Sequence, residues 1–160
     1  MATRPDPIAE LSHDHGHLGA LVLAVGEGLA RVARAEADGF DEVDDAVEAL
    51  RDALLAHFAR EEEGFFPFVE SHVPSLQARV QALRVDHDAV CKLLDVLYGA
   101  VRQTMGENAN AGSGACAEAF ARFEELHVRH AQAELAFLDA VGASLDSGQR
   151  DQLRAILADI

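Results

Sequence analysis

Apolar positions recur at three- and four-residue spacing through four long segments, roughly 8–35, 41–69, 75–105 and 115–145, with polar positions on the opposite face. That period is helical, so four amphipathic helices of about 25–30 residues are expected. The breaks between them carry turn chemistry: Asp38-Gly39, then Pro74-Ser75, then the low-complexity run GENANAGSGA at 106–115, which is expected to be a mobile loop. Pro67 falls inside the second segment, where it removes a backbone bond and should kink or end the helix just after FFPF. Beyond the fourth segment, Asp146 with Gln149 three residues on matches a capping box, and Leu153, Ile156 and Leu157 continue as one short amphipathic helix at about 147–159. The expected fold is all-α: an up-down-up-down four-helix bundle over about 8–145, with the short C-terminal helix folded back on it, in a single domain spanning 1–160.

Composition strengthens the helical reading, since thirty alanines and nineteen leucines stand against two threonines, three isoleucines and no tryptophan. Charge narrows the partners. Twenty-eight acidic residues against thirteen basic ones give a net charge of −15, a field that repels phosphate backbones and anionic lipid headgroups. Nucleic acid and membrane surfaces are therefore not expected as partners. No uncharged apolar run approaches the roughly 20 residues of a membrane span, and MATRPDPIAE lacks a basic-then-apolar leader pattern, so a cytoplasmic setting is expected. Cys91 and Cys116 are too few for a disulfide framework.

Eight histidines could all lie on the surface of such a chain, yet four fall on the apolar stripes. Leu11, Leu18, Val22, Val25, Leu29 and Val32 lie near whole helical turns from His15, which therefore points inward, while His13 and His17 should face solvent. His57 shares the stripe of Val43, Val47, Leu50 and Leu54, which Gly64 and Phe68 continue; His87 that of Val80, Leu83, Val90, Leu94 and Leu97; His130 that of Phe120, Phe123, Leu126, Phe137 and Val141. Two of these histidines are followed four residues on by a glutamate, Glu61 and Glu134, which must share the inward face. Ionised carboxylates inside an apolar bundle need a counter-charge, and the inner faces offer no lysine or arginine. A cation answers that need. Glu62 and Glu63 extend the acidic run and read as a solvated face, and His72 reads as a helix-end residue.

The chain also repeats itself. Asp14-His15 precedes His57-x-x-x-Glu61 as Asp86-His87 precedes His130-x-x-x-Glu134, the paired histidines standing 42 and 43 positions apart. A pseudo-twofold bundle would bring the two half-sites together, and four imidazoles with two carboxylates exceed the four-coordinate shell of one zinc. They suit two metals bridged by the glutamates, with iron favoured and manganese its rival. His127, three residues before His130 on the inner flank, is a candidate fifth ligand or outer donor, and Cys91, one turn beyond His87, a candidate additional contact. Glu-x-x-His pairs of the ferritin kind occur at Glu10/His13 and Glu124/His127, but Glu10, His13 and Glu124 lie off the stripes.

SHDHGHLGAL around His15, HFAREEEGFFPF from His57, RVDHDAV around His87 and HVRHAQAELAFL with His130 and Glu134 resemble the hemerythrin-like, or hemerythrin HHE cation-binding, proteins over residues 8 to about 141. The resemblance implies a non-haem di-iron centre, two iron ions with an oxo or hydroxo bridge, in which His15, His57, His87 and His130 are terminal ligands and Glu61 and Glu134 bridges. It implies a small diatomic or peroxide ligand and an unidentified redox partner. Oxygen-carrying hemerythrins place a second histidine four residues after the one on the third helix and a more widely spaced aspartate on the fourth. Here those features are Cys91 and a second His-x-x-x-Glu, which argues against a plain oxygen carrier. With about six positions on each iron, one or two stay open. Binding of oxygen, peroxide or nitric oxide, with peroxide or nitric oxide redox activity, is the expected function; the alternative is a reversible oxygen carrier or sensor, or an iron-handling protein without turnover.

Overall fold

The computed structural model describes residues 5–36, 38–106 and 109–160. Helix α1 spans Pro7–Ala33, with proline in its first turn where the missing N–H costs nothing. Helix α2, Gly39–Arg60, runs without a break into a π-helical turn, Glu61–Phe65, and a short α3, Phe66–His72. Ala35 and Asp38 take positive φ in the α1–α2 connection. A 3-10 turn, Pro74–Leu76, leads into α4, Gln77–Gly106; α5, Ala109–Ser144, and α6, Ser147–Ala158, complete the described chain. Helices α1 and α2 pair, α4 and α5 pair, and α1 against α5 with α2 against α4 close the ring of a four-helix bundle. The all-α bundle expected from periodicity is the observed fold.

The expectation at Pro67 needs correcting. Of the two expected outcomes, a kink or an end just after FFPF, the end is not observed: the helix continues to His72, with a π turn before the proline. Phe66 N–H bonds the Glu61 carbonyl, five residues back, so the chain absorbs one extra residue before the ring that cannot donate. The extra residue rotates the following segment, and Phe65, Phe66, Phe68 and Val69 all become buried. Gly64 sits at the tightest point. A Cβ there would lie 2.6 Å from Ile160 Cδ1 and 3.2 Å from Leu157 Cδ2, so its lack of a side chain lets α6 close on the π turn.

The loop expected at 106–115 is also corrected. Positions 107 and 108 lie outside the described residues, but from Ala109 onward the backbone is α-helical. Alanines favour the helix, and a long helix already nucleated on its packed side extends over two glycines at about 1 kcal/mol each. Gly114 is exposed, and a Cβ there would meet nothing within 4 Å. Gly114→Ala should therefore stabilise the protein by about 0.5–1 kcal/mol in urea unfolding, whereas a loop would show no gain.

Helix α6 starts at the expected capping box: Gln149 N–H donates to Asp146 Oδ1 at 2.8 Å, and Asp146 N–H to Gln149 Oε1 at 3.0 Å. Leu153 and Leu157 bury against the bundle, and Arg150 reaches Asp6 and the Gly142 carbonyl. By length and composition alone α1 could cross a membrane, but Leu11, Leu18, Val22 and Val25 of its inner stripe are buried against the bundle.

Two apolar clusters fill the interior. One gathers Leu18, Val22, Leu50, Leu54, Leu94, Leu97 and Phe123, the other Leu11, Phe65, Phe66, Leu83, Phe137, Leu138 and Leu153. In register, the layer between them is the level of His15, His57, Glu61, His87, His130 and Glu134.

Candidate metal centre

Each helix brings its inward histidine to that layer. His57, His87 and His130 are buried, His15 is 7% exposed by side chain, and Glu61 and Glu134 are completely buried. Their mutual geometry is paired. Glu134 Oε1 lies 3.0 Å from His15 Nε2 and 3.6 Å from His57 Nε2, while its Oε2 lies 3.1 Å from His130 Nε2. Glu61 Oε1 lies 3.6 Å from His57 Nε2 and its Oε2 3.2 Å from His87 Nε2. Each glutamate thus turns one oxygen to the His15/His57 pair and the other to the His87/His130 pair. Among the described residues, His15 with His57 and Glu134, and His87 with His130 and Glu134, form two groups whose potential ligand atoms lie within 4.8 Å of one another.

Most of these atoms lack a satisfying partner. Both nitrogens of His15, His57 and His130, Nε2 of His87 and all four carboxylate oxygens are buried without a well-formed hydrogen bond. Buried polar atoms normally find partners, so the eight that converge on the centre, the four Nε2 atoms and the four carboxylate oxygens, call for a ligand. The only ion-pair partners of Glu61 and Glu134 among the described residues are histidines. Burial and the neighbouring Glu134 charge push Glu61 well above the carboxylate range. Burial opposes the Glu134 charge too, but contacts with Glu61, His130, His15 and His57 outweigh it and hold Glu134 low. His57 follows the same pattern: burial disfavours its cation, yet Asp14 and Glu134 raise it to about 9. His87 is lowered to about 4 by burial and the neighbouring His130.

Metal ligation needs neutral imidazole and ionised carboxylate, so metal uptake at pH 7 must displace the proton on His57. Zinc added to the metal-free protein in weak buffer should release at least one proton per chain, and affinity should strengthen as pH rises toward 9. Uptake without proton release would contradict this charge state.

The ring nitrogens turned away from the centre meet acids that the sequence reading assigned no role. Asp14 Oδ2 lies 3.6 Å from His57 Nδ1 and is held by Arg60 at 2.7 Å; Asp86 Oδ2 lies 3.8 Å from His130 Nδ1. His87 Nδ1 is 2.7 Å from Glu62 Oε1, and Arg84 donates to the other Glu62 oxygen at 2.9 Å. Reading Glu62 as part of a solvated face is therefore corrected: it is half-buried and backs His87, while Glu63 is exposed as expected. The twice-repeated Asp-His dipeptide was the available signal for Asp14 and Asp86. For Glu62 there was none, because its partner lies on another helix.

Phenylalanines wall the layer. Phe58 stacks on His87 at 3.8 Å and 15°, Phe66 at 5.4 Å and 22°. A family model described as the hemerythrin HHE cation binding domain matches residues 6–136. The chain belongs to the hemerythrin HHE cation-binding family. No curated protein and no solved structure matches it. As an HHE domain it is a metal-binding helical bundle, and its His/Glu groups could hold the cation.

The remaining candidates stand apart. His127 is buried, stacked on Phe123 at 5.6 Å, and outside both close groups, with a buried and unpartnered Nδ1. Burial, then the charges of His130, His15 and His57, lower it to about 4. Cys91 is half-buried against the apolar cluster and is also outside both groups; burial, with Asp95 and Asp88, pushes its thiol up. His13 and His17 are exposed, and His72 ends α3 with Nδ1 2.9 Å from the Phe68 carbonyl.

Proposed function

We propose that the chain holds two iron ions, with His15 and His57 on one, His87 and His130 on the other, and Glu61 and Glu134 bridging. The observation that carries this reading is the splitting of each glutamate, one oxygen to each histidine pair. Iron bound there would supply an Fe(II)/Fe(III) couple and open positions for oxygen, peroxide or nitric oxide. The protein supplies the rest. Phe58, Phe66, Phe123 and Phe137 keep bulk water and large substrates away from the layer. Glu62 orients the His87 imidazole, and Asp14 and Asp86 stand behind those of His57 and His130. His127, buried with an unpartnered Nδ1, is the candidate outer donor or fifth ligand. Cys91 occupies a core position rather than a ligand position.

Of the redox reactions this site suits, peroxide disproportionation is the best supported: 2 H2O2 give 2 H2O and O2 with no outside reductant, whereas nitric oxide reduction calls on an electron donor. Protein loaded with iron and brought to the diferric state should release one O2 for every two hydrogen peroxides consumed. His127→Ala should slow that release more than His13→Ala. Reversible oxygen uptake with no peroxide consumption would move the protein to the carrier or sensor reading. Release of the iron to an acceptor without turnover would make it an iron-handling protein.

A further inference from the structure

The two halves of the centre are not equal, and the inequality lies one residue past each glutamate. Glu62 follows Glu61 and accepts from His87 Nδ1–H at 2.7 Å, which fixes that tautomer and leaves Nε2 free toward Glu61 Oε2. The position that follows Glu134 in the second repeat is Leu135. His15 corresponds to His87, and its Nδ1 is buried with no partner at all. Stacking deepens the difference: His87 packs against the faces of Phe58 and Phe66, while His15 has an edge contact with His57 at 4.9 Å. The Nδ1 atoms of the other two histidines match each other, each without a hydrogen bond and with an aspartate at similar distance, Asp14 3.6 Å from His57 and Asp86 3.8 Å from His130, so of the four histidines His87 alone has a hydrogen-bonded outer partner. A cavity of about 260 Å³ between α1 and α2, lined by Asp14, His57 and Arg60, also reaches the His15/His57 half from the surface.

We infer that the His87/His130 half binds metal first and tightly, and that the His15/His57 half, whose His15 lacks the outer acceptor that Leu135 cannot supply, binds second and releases first. This rests on the two-metal reading above. Outer hydrogen-bond partners of ligating histidines are worth about 10–100-fold in metal affinity, so the two binding steps should differ by that factor. Glu62 is then a positioning residue, and its loss should erase the preference rather than abolish binding.

The test uses the metal-free full chain and Zn(II) as a diamagnetic probe, with calorimetry for affinity and 15N resonances of ring-labelled histidines for location. At one equivalent, His87 and His130 should show the coordination shift while His15 remains as in the metal-free protein. Leu135→Gln, at a partly exposed position, should tighten the second step about 10-fold and bring the steps together. Glu62→Leu should instead weaken the first step by 10–100-fold. Simultaneous shifts of all four histidines in the wild type, or a Leu135→Gln protein with unchanged steps, would overturn the inequality and leave the two-metal reading intact. Uptake of a single metal at saturation would overturn both.

Discussion

Glu134→Gln is expected to leave the purified protein with roughly a tenth or less of the wild-type metal, because the amide withdraws charge from both half-sites at once. Glu134 is the one side chain shared by both close ligand groups, so no other single replacement touches as much of the centre. The effect on stability should differ in size between the two states. Without metal, Glu134 is held ionised by its contacts with Glu61, His130, His15 and His57, and it helps hold the buried His57 as a cation; the neutral amide removes that counter-charge, so the metal-free variant should melt at or below the metal-free wild type. With metal at about 100 times its dissociation constant the wild type gains about 2.7 kcal/mol, worth about 5–10 °C in melting temperature for a domain of this size. The variant should gain almost none of that. Glu63→Gln, at an exposed position, should melt like the wild type in both states. Differential scanning fluorimetry with and without chelator reads all three, and a Glu134→Gln protein that keeps its chelator-sensitive melting would contradict a shared bridge.

The second large effect is expected from His57→Ala combined with His130→Ala, which removes one imidazole from each pair and leaves His15 and His87 alone with the glutamates. Metal content and any metal-linked optical absorption should be lost, while far-ultraviolet circular dichroism of the metal-free form should stay close to wild type, since the bundle helices are packed by apolar clusters at either side of the layer. Removing both imidazoles of one pair, His87 and His130, should instead leave a chain able to hold one metal. Equal retention by the two double variants would argue against paired half-sites.

What could be read from the sequence was set by helical geometry. His57 with Glu61 and His130 with Glu134 are four residues apart on stripes of apolar neighbours, and that alone places them inward on known faces. The repeat of Asp-His then places the halves opposite each other. Glu62 escaped because adjacent helical residues point about 100° apart, so a carboxylate beside Glu61 reads as turned to solvent unless the position of His87 on another helix is known. The π turn escaped for a related reason: Pro67 announces a lost donor, but only packing against α6, through Gly64, shows that the chain absorbs a residue instead of breaking. The helix over 109–115 was hidden by glycine and asparagine, residues with loop chemistry that cooperative extension of α5 overrides.

The measurement that bears most directly on the central claim is metal analysis with X-ray absorption at the metal edge on the purified protein. Two iron ions per chain, histidine nitrogen in the inner shell and a metal–metal distance under about 4 Å are the expected result for two half-sites joined by Glu61 and Glu134. One zinc per chain, with no iron and no metal–metal scattering, would contradict it.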